Sequence, residues 1–570
     1  MNERYQYGPI AYGMLTIILV IAGFLLVDNE VVYTKPDEYS VKTIRYNYSV
    51  NIPDVIGYKD NTLVTKEIEK QSYIDRYSLP KLRRLSKSDQ QKYITDTLLN
   101  KRVKALKINS DEVLLPEKKW KSLYIESFVT LEKYDEVKFN GNKTSELNTF
   151  IKNNPNKTIV INNAELQLDK TLVITSNSQI IGAPTKLIAS EGFDTAINIQ
   201  AVENIYISDL EISNVNTAIK VKDSSNLIVT NNIISDCLAR AVIVTNGKNV
   251  NIVNNTLTNN EYGLCLTGDL NNSIIQSNTI KNTKNSKNSA AGIFIDGANQ
   301  LDKEKSAAKK PINERLESPH NIIIYGNYIA EGNSSGIYCC GPYQIYVIKN
   351  NITSNEKEGI CLDWGTIGSY VSENNISYNG FRMHQSDDDL KQDYIFDFGR
   401  LDDGSSPAKL PGISLDNAMW NIISNNNINN NAGSGIKTVR STIENIIIEN
   451  NIIDNNMGSN KKFHFFGVEL GAALESKEVE NLKEIMDIIG NYENIITNNN
   501  ISGKHYSGIF IQDNSYSNYF SNNTIMNPQY WSMESISSLA NTSVNNYSNF
   551  KSRGIPLSNK NSIEIANSKD

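Results

Sequence analysis

From about residue 200 the chain repeats one short phrase, and this repetition restricts the fold more than any other feature of the sequence. The phrase reads apolar–apolar–Asn–x–Ile, then Gly–Ile–x–apolar. It appears as "VTNNIISDCLARAVIV" (229–244), "VIKNNITSNEKEGICL" (347–362), "ISNNNINNNAGSGIKTV" (423–439) and "ITNNNISGKHYSGIFI" (496–511), among other copies. One Asn per copy gives positions 232, 255, 278, 327, 350, 374, 426, 451, 499 and 523. The steps between them are 23, 23, 49, 23, 24, 52, 25, 48 and 24 residues. Three steps are about twice the others, so a unit of 23–24 residues takes insertions in three places.

Each copy holds short alternating apolar runs separated by Asn, Ser and Gly, the pattern of short β-strands joined by turns. A unit this small cannot bury its own apolar face, whereas stacked copies can, each coil bonding to the next at ~4.8 Å. A leucine-rich repeat needs a Leu-x-x-Leu-x-Leu signature, and a propeller needs a period near ~40 residues. Neither is present. The expected fold is all-β: a parallel β-helix with Ile stacked inside and the recurring Asn at a corner. There its amide stacks along the axis and tolerates left-handed backbone.

The N-terminal segment "SELNTFIKNNPNKTIVINNAELQLDKTLVITSNSQIIGA" (145–183) sharpens the reading. An amphipathic helix, a Pro-containing turn, "TIVI", a further apolar run and a closing "IIG" follow in order. With the repeats, this resembles the right-handed parallel β-helix (pectin-lyase-like) superfamily. Within it the chain is most similar to carbohydrate-binding/sugar-hydrolase repeat proteins, a group that includes mannuronan C-5 epimerases and nitrous-oxide-reductase maturation proteins. The resemblance covers about 145–530. It implies a right-handed solenoid capped by the N-terminal helix and a carbohydrate partner. It implies no particular reaction, because this fold hosts lyases, hydrolases, epimerases and binders.

The region before the solenoid differs. Residues 8–27, "GPIAYGMLTIILVIAGFLLV", carry no charge. Twenty such residues can span a bilayer, and "LLVDNEVVY" after them offers no small-x-small cleavage site. An uncleaved signal-anchor is expected, with residues 1–7 cytoplasmic and the β-helix outside, on a single-pass cell-membrane protein. Residues 28–140 are expected as a stalk or small domain, helical or mixed α/β. Within them "SKSDQQKYITDTLLNKRVKAL" (86–106) has a capping start at Ser88/Gln91 and apolar residues at helical spacing. The β-helix is expected over 141–535 and a tail over 536–570. The balance of 56 basic and 63 acidic residues gives no footprint for nucleic acid. Five cysteines at irregular spacing make no disulfide framework and are expected as small buried hydrophobes. Four histidines form no ligand pattern, so no cofactor is required. The acidic run "SDDDLKQD" (386–393) offers oxygens of the kind Ca²⁺ takes, without EF-hand spacing. A solvated loop is its simpler reading.

In the Gly–Ile–x–apolar–x strand Ile points in, so the third and fifth residues point out. The third column runs Phe294, Tyr338, Cys361, Ser414, Lys437, Glu469, Phe510; the fifth runs Asp296, Cys340, Asp363, Asp416, Val439, Gly471, Gln512. Asp363 and Asp416 therefore fall on adjacent coils, with Asp296 two coils earlier and Lys437 one coil later. Two carboxylates so close disfavour joint ionisation, which yields an acid and a base from one residue type. An Asp closing a strand is also a common turn residue, and only the recurrence at one repeat position lifts this set above that. The insertions flank this column, as walls of a binding groove would. They bring His384, Tyr394 and Arg382 near it.

The expected function is action on an acidic, uronate-containing polysaccharide held along the outer face, by β-elimination or C-5 epimerisation. Asp363 or Asp416 would be the base and His384 or Tyr394 the partner acid. Lys437 or Arg440 would neutralise the substrate carboxylate, with Asp296, Tyr338, Trp364 and Glu469 as further contacts. A glycoside hydrolase using Asp363 and Asp416 is the nearest enzymatic alternative. A non-catalytic carbohydrate-binding or surface scaffold is the other. The Asn-Thr-Asp, Asp-Asp and Gly-His-Gly motifs of polygalacturonase-like hydrolases are not here as a set, and neither is the Asp-Pro-His of mannuronan epimerases. No catalytic residue is carried over by resemblance.

Overall fold

In the computed structural model the described residues are 106–108, 116–284, 291–297, 317–381, 410–439, 442–455, 464–471, 491, 493–512, 515, 518–535, 541–544, 546–553 and 563–564. The charge-free segment 8–27, most of 28–115, His384, Tyr394, Arg440 and the 386–393 run lie outside them.

Every strand pairs in parallel with the strand one coil on, so the chain is a β-solenoid with three lateral faces. Face A carries the Gly–Ile strands, among them Ala291–Asp296, Ser335–Cys340, Ile360–Asp363, Ile413–Asp416, Ile436–Val439 and Val468–Leu470. Face B stacks His320–Tyr325, Tyr343–Ile348, Tyr370–Ser372, Ile422–Ser424 and Ile446–Ile448. Face C stacks short strands such as Asn351–Thr353, Asn375–Ser377 and Asn427–Asn429. In the early coils faces A and B run on as one long strand, as in Val215–Thr230 and Arg240–Val253. The inward columns hold the core. Ile337, Ile360, Ile413 and Ile436 stand in register on face A, each without exposed surface. At ~25 cal/mol per Å² of buried apolar surface, such columns are the main stabilising force of the stack.

The recurring glycine of the phrase is a matter of space. A Cβ on Gly359 would stand 2.5 Å from Ile376 Cγ2 and 2.8 Å from the Gly412 carbonyl oxygen one coil on. Only a residue without a side chain lets face A meet face C that closely.

The asparagine ladder exists and runs through Asn232, Asn255, Asn278, Asn327, Asn350, Asn374, Asn426, Asn450, Asn499, Asn523 and Asn546. Each amide donates to the next side-chain oxygen at 2.9–3.1 Å, and each backbone N–H bonds to that same oxygen. Two points of the sequence reading are corrected. The ladder member near 451 is Asn450; Asn451 belongs to a separate, exposed ladder with Asn427 and Asn500. Side by side in "ENN", the two asparagines are identical in sequence and differ only in which face they present. The left-handed corner also falls one residue earlier, on Asn231, Asn254, Ser277, Lys349, Glu373 and Glu449 and not on the ladder asparagines themselves. Further ladders run through Asn355, Asn379, Asn431 and Asn455 and through Asn421, Asn445, Asn494, Asn518 and Asn541. Asn541 and Asn546 continue the stack into the segment expected as a tail.

Among the described residues two helices flank the coils. Helix α1, Pro116–Ser127, lies within the segment expected as a stalk, and it rests on face B: Tyr124 Oη donates to Gln276 Oε1 at 2.6 Å and Trp120 stacks on Tyr325. Helix α2, Thr144–Asn153, buries Leu147 and Ile151 in the solenoid core with Leu166, Leu168 and Leu172. Its N-terminus has no side-chain cap of its own. Asp169 supplies one from the following coil, accepting from the backbone N–H and hydroxyl of Ser145 and the hydroxyl of Thr144. The Ser145 hydroxyl, more than anything else, holds the Asp169 carboxyl down to about 2.

Candidate functional site

The outward side of face A carries a second apolar cluster separate from the core. Tyr262, Cys265, Ala291, Phe294 and Cys340 form it, with Tyr338 and Trp364 packed against them. The third column supplies it coil by coil, Cys265 against Phe294, Phe294 against Tyr338, Tyr338 against Cys361. The Phe294 and Tyr338 rings stack with centroids 5.5 Å apart. Tyr262 leans on Phe294 from the other side, and the Arg240 guanidinium sits over Tyr262 at 5.9 Å. The thiols here are packing groups: all five cysteines are buried and outside any disulfide, and burial pushes Cys265 up to about 12.

This aromatic stack ends on Asp363. The Tyr338 hydroxyl donates to Asp363 Oδ2 at 2.7 Å, and the Trp364 backbone N–H donates to Asp363 Oδ1 at 2.6 Å. Burial, and then the Asp363 charge, raises the Tyr338 phenol well above its ordinary value, so this hydroxyl keeps its proton and stays a donor. Trp364 adopts φ of 53°, a left-handed conformation rare for a bulky side chain. The strand ends there in a strained turn, with the Thr366 hydroxyl bonding back to the Asp363 carbonyl at 2.7 Å.

The expected column is in register. Asp296 pairs with Cys340 and Cys340 with Asp363, which places Asp296 two coils before Asp363. Leu362 pairs with Leu415, so Asp363 and Asp416, the next residues on each strand, stand one coil apart. Asp416 is followed on the next coil by Val439, and Lys437 by Glu469. The residues point away from the core, yet they are not open to solvent. Asp363 is 6%, Asp416 4% and Asp296 0% exposed. The sequence reading took outward-pointing to mean accessible. Asp296 is in register with Cys340 of the second apolar cluster. Asp296 belongs to the packing beneath the site, and Asp363 and Asp416 are the acids nearest its surface.

Lys437 and Glu469 form a closed ion pair at 2.7 Å. Glu469 also accepts from the Ser434 hydroxyl at 2.5 Å and the Gln512 amide at 3.1 Å. The Lys437 charge is therefore balanced within the protein before any substrate arrives. The Ser–Glu contact recurs as Ser335 to Glu358 and Ser507 to Glu534, both at 2.8 Å, which marks it as a bracing device of face A.

Sequence reasoning missed one residue at this site. Asn417 follows Asp416 at φ 48°, is 2% exposed, and its side-chain oxygen has no hydrogen-bond partner. Its backbone carbonyl accepts from the Gly365 N–H, beside Asp363. An orphaned buried acceptor costs ~1–3 kcal/mol and is uncommon. Its only sequence signal is the pairing of "LDN" with "LDW" at one repeat position. Among the described residues no three His, Cys, Asp or Glu side chains converge as a metal site. No helix among them is long and apolar enough to cross a membrane.

A sequence profile described as "Right handed beta helix region" matches residues 136–280, in agreement with the expected hand of the coil. Several solved structures are similar to this chain at low identity. The A-module of a mannuronan C-5 epimerase from Azotobacter vinelandii is 12% identical, over 71% of this chain and 90% of that one, with a TM-score of 0.39. The catalytic domain of a family GH87 α-1,3-glucanase is 13% identical, over 70% and 66%, with a TM-score of 0.40. A surface adhesin of Streptococcus pneumoniae is 11% identical, over 73% and 88%, with a TM-score of 0.35.

Proposed function

We propose that this β-helix acts on an acidic polysaccharide at the outward side of face A, with Asp363 and Asp416 as its chemical centre. One observation carries the reading: two carboxylates one coil apart, one of them anchored by the Tyr338 hydroxyl and closing a strained turn at Trp364. Removal of the C5 proton of a uronate needs a base fixed against that carbon, and both β-elimination and epimerisation begin with it. Asp363 is oriented for such a role by the Tyr338 hydroxyl and the Trp364 N–H. Asp416, one coil on, supplies the second carboxylate of the site. In this reading a uronate carboxylate is met by hydrogen-bond donors, because Lys437 is engaged by Glu469. Attachment to a membrane through 8–27, with the β-helix outside the cytoplasm, belongs to the same proposal.

The test is incubation of the full chain with uronate polymers, alginate and polygalacturonate first. Ultraviolet absorbance from new double bonds marks elimination, and exchange of the C5 hydrogen with D₂O marks epimerisation. New reducing ends without absorbance would instead mark a glycoside hydrolase. Loss of the signal in Asp363→Asn and Asp416→Asn, with the fold retained, is the expected result.

A second reading has its own support. The closed Lys437–Glu469 pair and the repeated Ser–Glu braces are what a purely structural face would carry. In that case the protein binds carbohydrate or serves as a surface scaffold without turnover. Retention on immobilised polymer with no product in any assay would favour it.

A further inference from the structure

The outward side of face A changes character along the axis. Its fifth column runs back from Asp363 through Cys340, Asp296, Thr267 and Thr245 to Lys222, in register at every coil. At ~4.8 Å per coil, Lys222 and Asp363 stand about 24 Å apart on one line. The third column likewise runs back from Cys265 through Ile243 and Lys220 to Asn198. Cys265, Thr267, Phe294 and Asp296 are buried. The earlier members are open: Lys220 is exposed, and Asn198, Lys222, Ile243 and Thr245 are half-buried.

The cations of this open stretch have no acid partner. Among the described residues, no carboxylate lies within ion-pair distance of Lys220, Lys222 or Arg240, whereas Lys437 is closed on Glu469 at 2.7 Å. Two acids adjoin the stretch, and both are exposed. Asp223 accepts from the Asn246 amide at 2.7 Å and Asp194 from the Thr195 hydroxyl at 3.0 Å. Arg240 is set into the face. It stands in register between Thr217 and Tyr262, its guanidinium lies over the Tyr262 ring at 5.9 Å, and its Nε is buried without a hydrogen-bond partner. A buried donor left unpaired is uncommon in a folded protein. Ile243, on the same coil, packs against the outward apolar cluster and is only half-buried. An arginine fork seated on an aromatic ring recognises a planar carboxylate. Two lysines one coil earlier extend the positive charge, and Ile243 offers an apolar floor of the kind the C–H face of a sugar ring takes.

We propose that the open early coils of face A form a carboxylate-binding subsite for an acidic polysaccharide, with Arg240 as its anchor and Lys220 and Lys222 beside it. The subsite rests on the reading of an acidic polysaccharide as partner, and not on the chemistry at Asp363 and Asp416. It gives the polymer carboxylates a positive charge that the closed Lys437–Glu469 pair does not supply. It also sets a direction: the chain is held at the open coils and runs along the column toward the acids.

The test is titration calorimetry of the full chain with alginate and polygalacturonate oligomers, with neutral dextran beside them. The native protein should bind the uronate oligomers, more weakly as salt is added, and leave dextran unbound. Arg240→Gln should weaken uronate binding about tenfold. Arg240→Lys should recover only part of the loss, because an ammonium lacks the fork. The double variant Lys220→Gln, Lys222→Gln lies at the surface and carries the test even if Arg240→Gln lowers Tm. It should reduce both the affinity and its salt dependence. Lys118→Gln, on helix α1, is the control for net charge and should change neither. Native affinity in the Arg240 and lysine variants would overturn the subsite and leave the acidic-polymer reading standing. A native chain that binds no uronate oligomer would overturn both. Equal, variant-sensitive binding of a polynucleotide or of anionic lipid vesicles would also overturn the proposal, by showing a general anion surface in its place.

Discussion

His505 occupies the position that Asn455 holds one coil earlier in the face C ladder. The Asn455 amide donates to the Ile428 carbonyl at 2.8 Å, and His505 Nε2 meets the Ile452 carbonyl at 3.4 Å in the same role. The imidazole reaches the carbonyl but breaks the column: its Nδ1 is buried without a hydrogen-bond partner. An asparagine offers a donor and an acceptor in line with the axis, and the ring does not.

This predicts a pH-dependent weak point. Burial lowers His505 from its ordinary 6.5 to about 4, against small opposing contributions from the Ile452 carbonyl and Asp454. The unfolded chain therefore binds a proton between those values that the folded chain refuses. Stability contributed by the neutral ring is whole above about 6.5 and falls as the pH drops toward 4, by on the order of 3 kcal/mol. His505→Asn should abolish this slope and restore the ladder. Urea unfolding at pH 7 and pH 4.5 measures it; an equal loss in both proteins would show that the histidine is not responsible.

The two asparagine ladders should differ sharply in energetic weight. Asn426 accepts from the Asn374 backbone and side chain, and donates to the Val371 carbonyl and to Asn450, and it is buried. Asn426→Ala leaves several of these groups buried and unsatisfied, at ~1–3 kcal/mol each. We expect a loss of about 3–5 kcal/mol, and less than about 1 kcal/mol for the neighbouring Asn427→Ala on the exposed ladder. Paired chemical denaturation curves decide it.

The solenoid was legible because its physics is periodic. An Ile column, an Asn corner and a Gly contact each recur at one position of a 23–24-residue unit, and each has a single structural reason to do so. What the sequence hid is what periodicity does not encode. Asn450 and Asn451 are adjacent and alike, and only the three-dimensional corner separates them. Pointing outward looked like facing water, yet that side carries a second apolar cluster of Tyr262, Phe294 and Cys340, and Asp296 is fully buried. Lys437 looked like a substrate cation because Glu469, which neutralises it, lies 32 residues away and becomes its neighbour only through the coil.

A close-approach glycine offers a control on the packing argument. Gly359→Ala sets a methyl 2.5 Å from Ile376 Cγ2 and 2.8 Å from the Gly412 carbonyl. Neither neighbour can retreat without moving a coil, so we expect destabilisation of about 2–4 kcal/mol. The shift in urea midpoint should be much smaller for Gly192→Ala, where a Cβ meets nothing within 4 Å and only the left-handed backbone at φ 74° resists.

The Tyr338–Asp363 contact makes the catalytic proposal specific. Asp363→Asn removes the proposed base and should lower turnover of a uronate polymer at least a hundredfold, with Tm unchanged within a few degrees. Tyr338→Phe keeps the ring stacked on Phe294 and removes only the hydroxyl that anchors Asp363. That hydroxyl stabilises the charged carboxylate. Without it the proton leaves Asp363 less readily, and the acidic limb of the pH–rate profile should move to higher pH. The rate itself should fall more modestly, by about tenfold, because Trp364 N–H still holds the other carboxylate oxygen. A structural aspartate gives the opposite pattern. Both variants would then lower Tm, and neither would move the pH profile of whatever activity the protein shows.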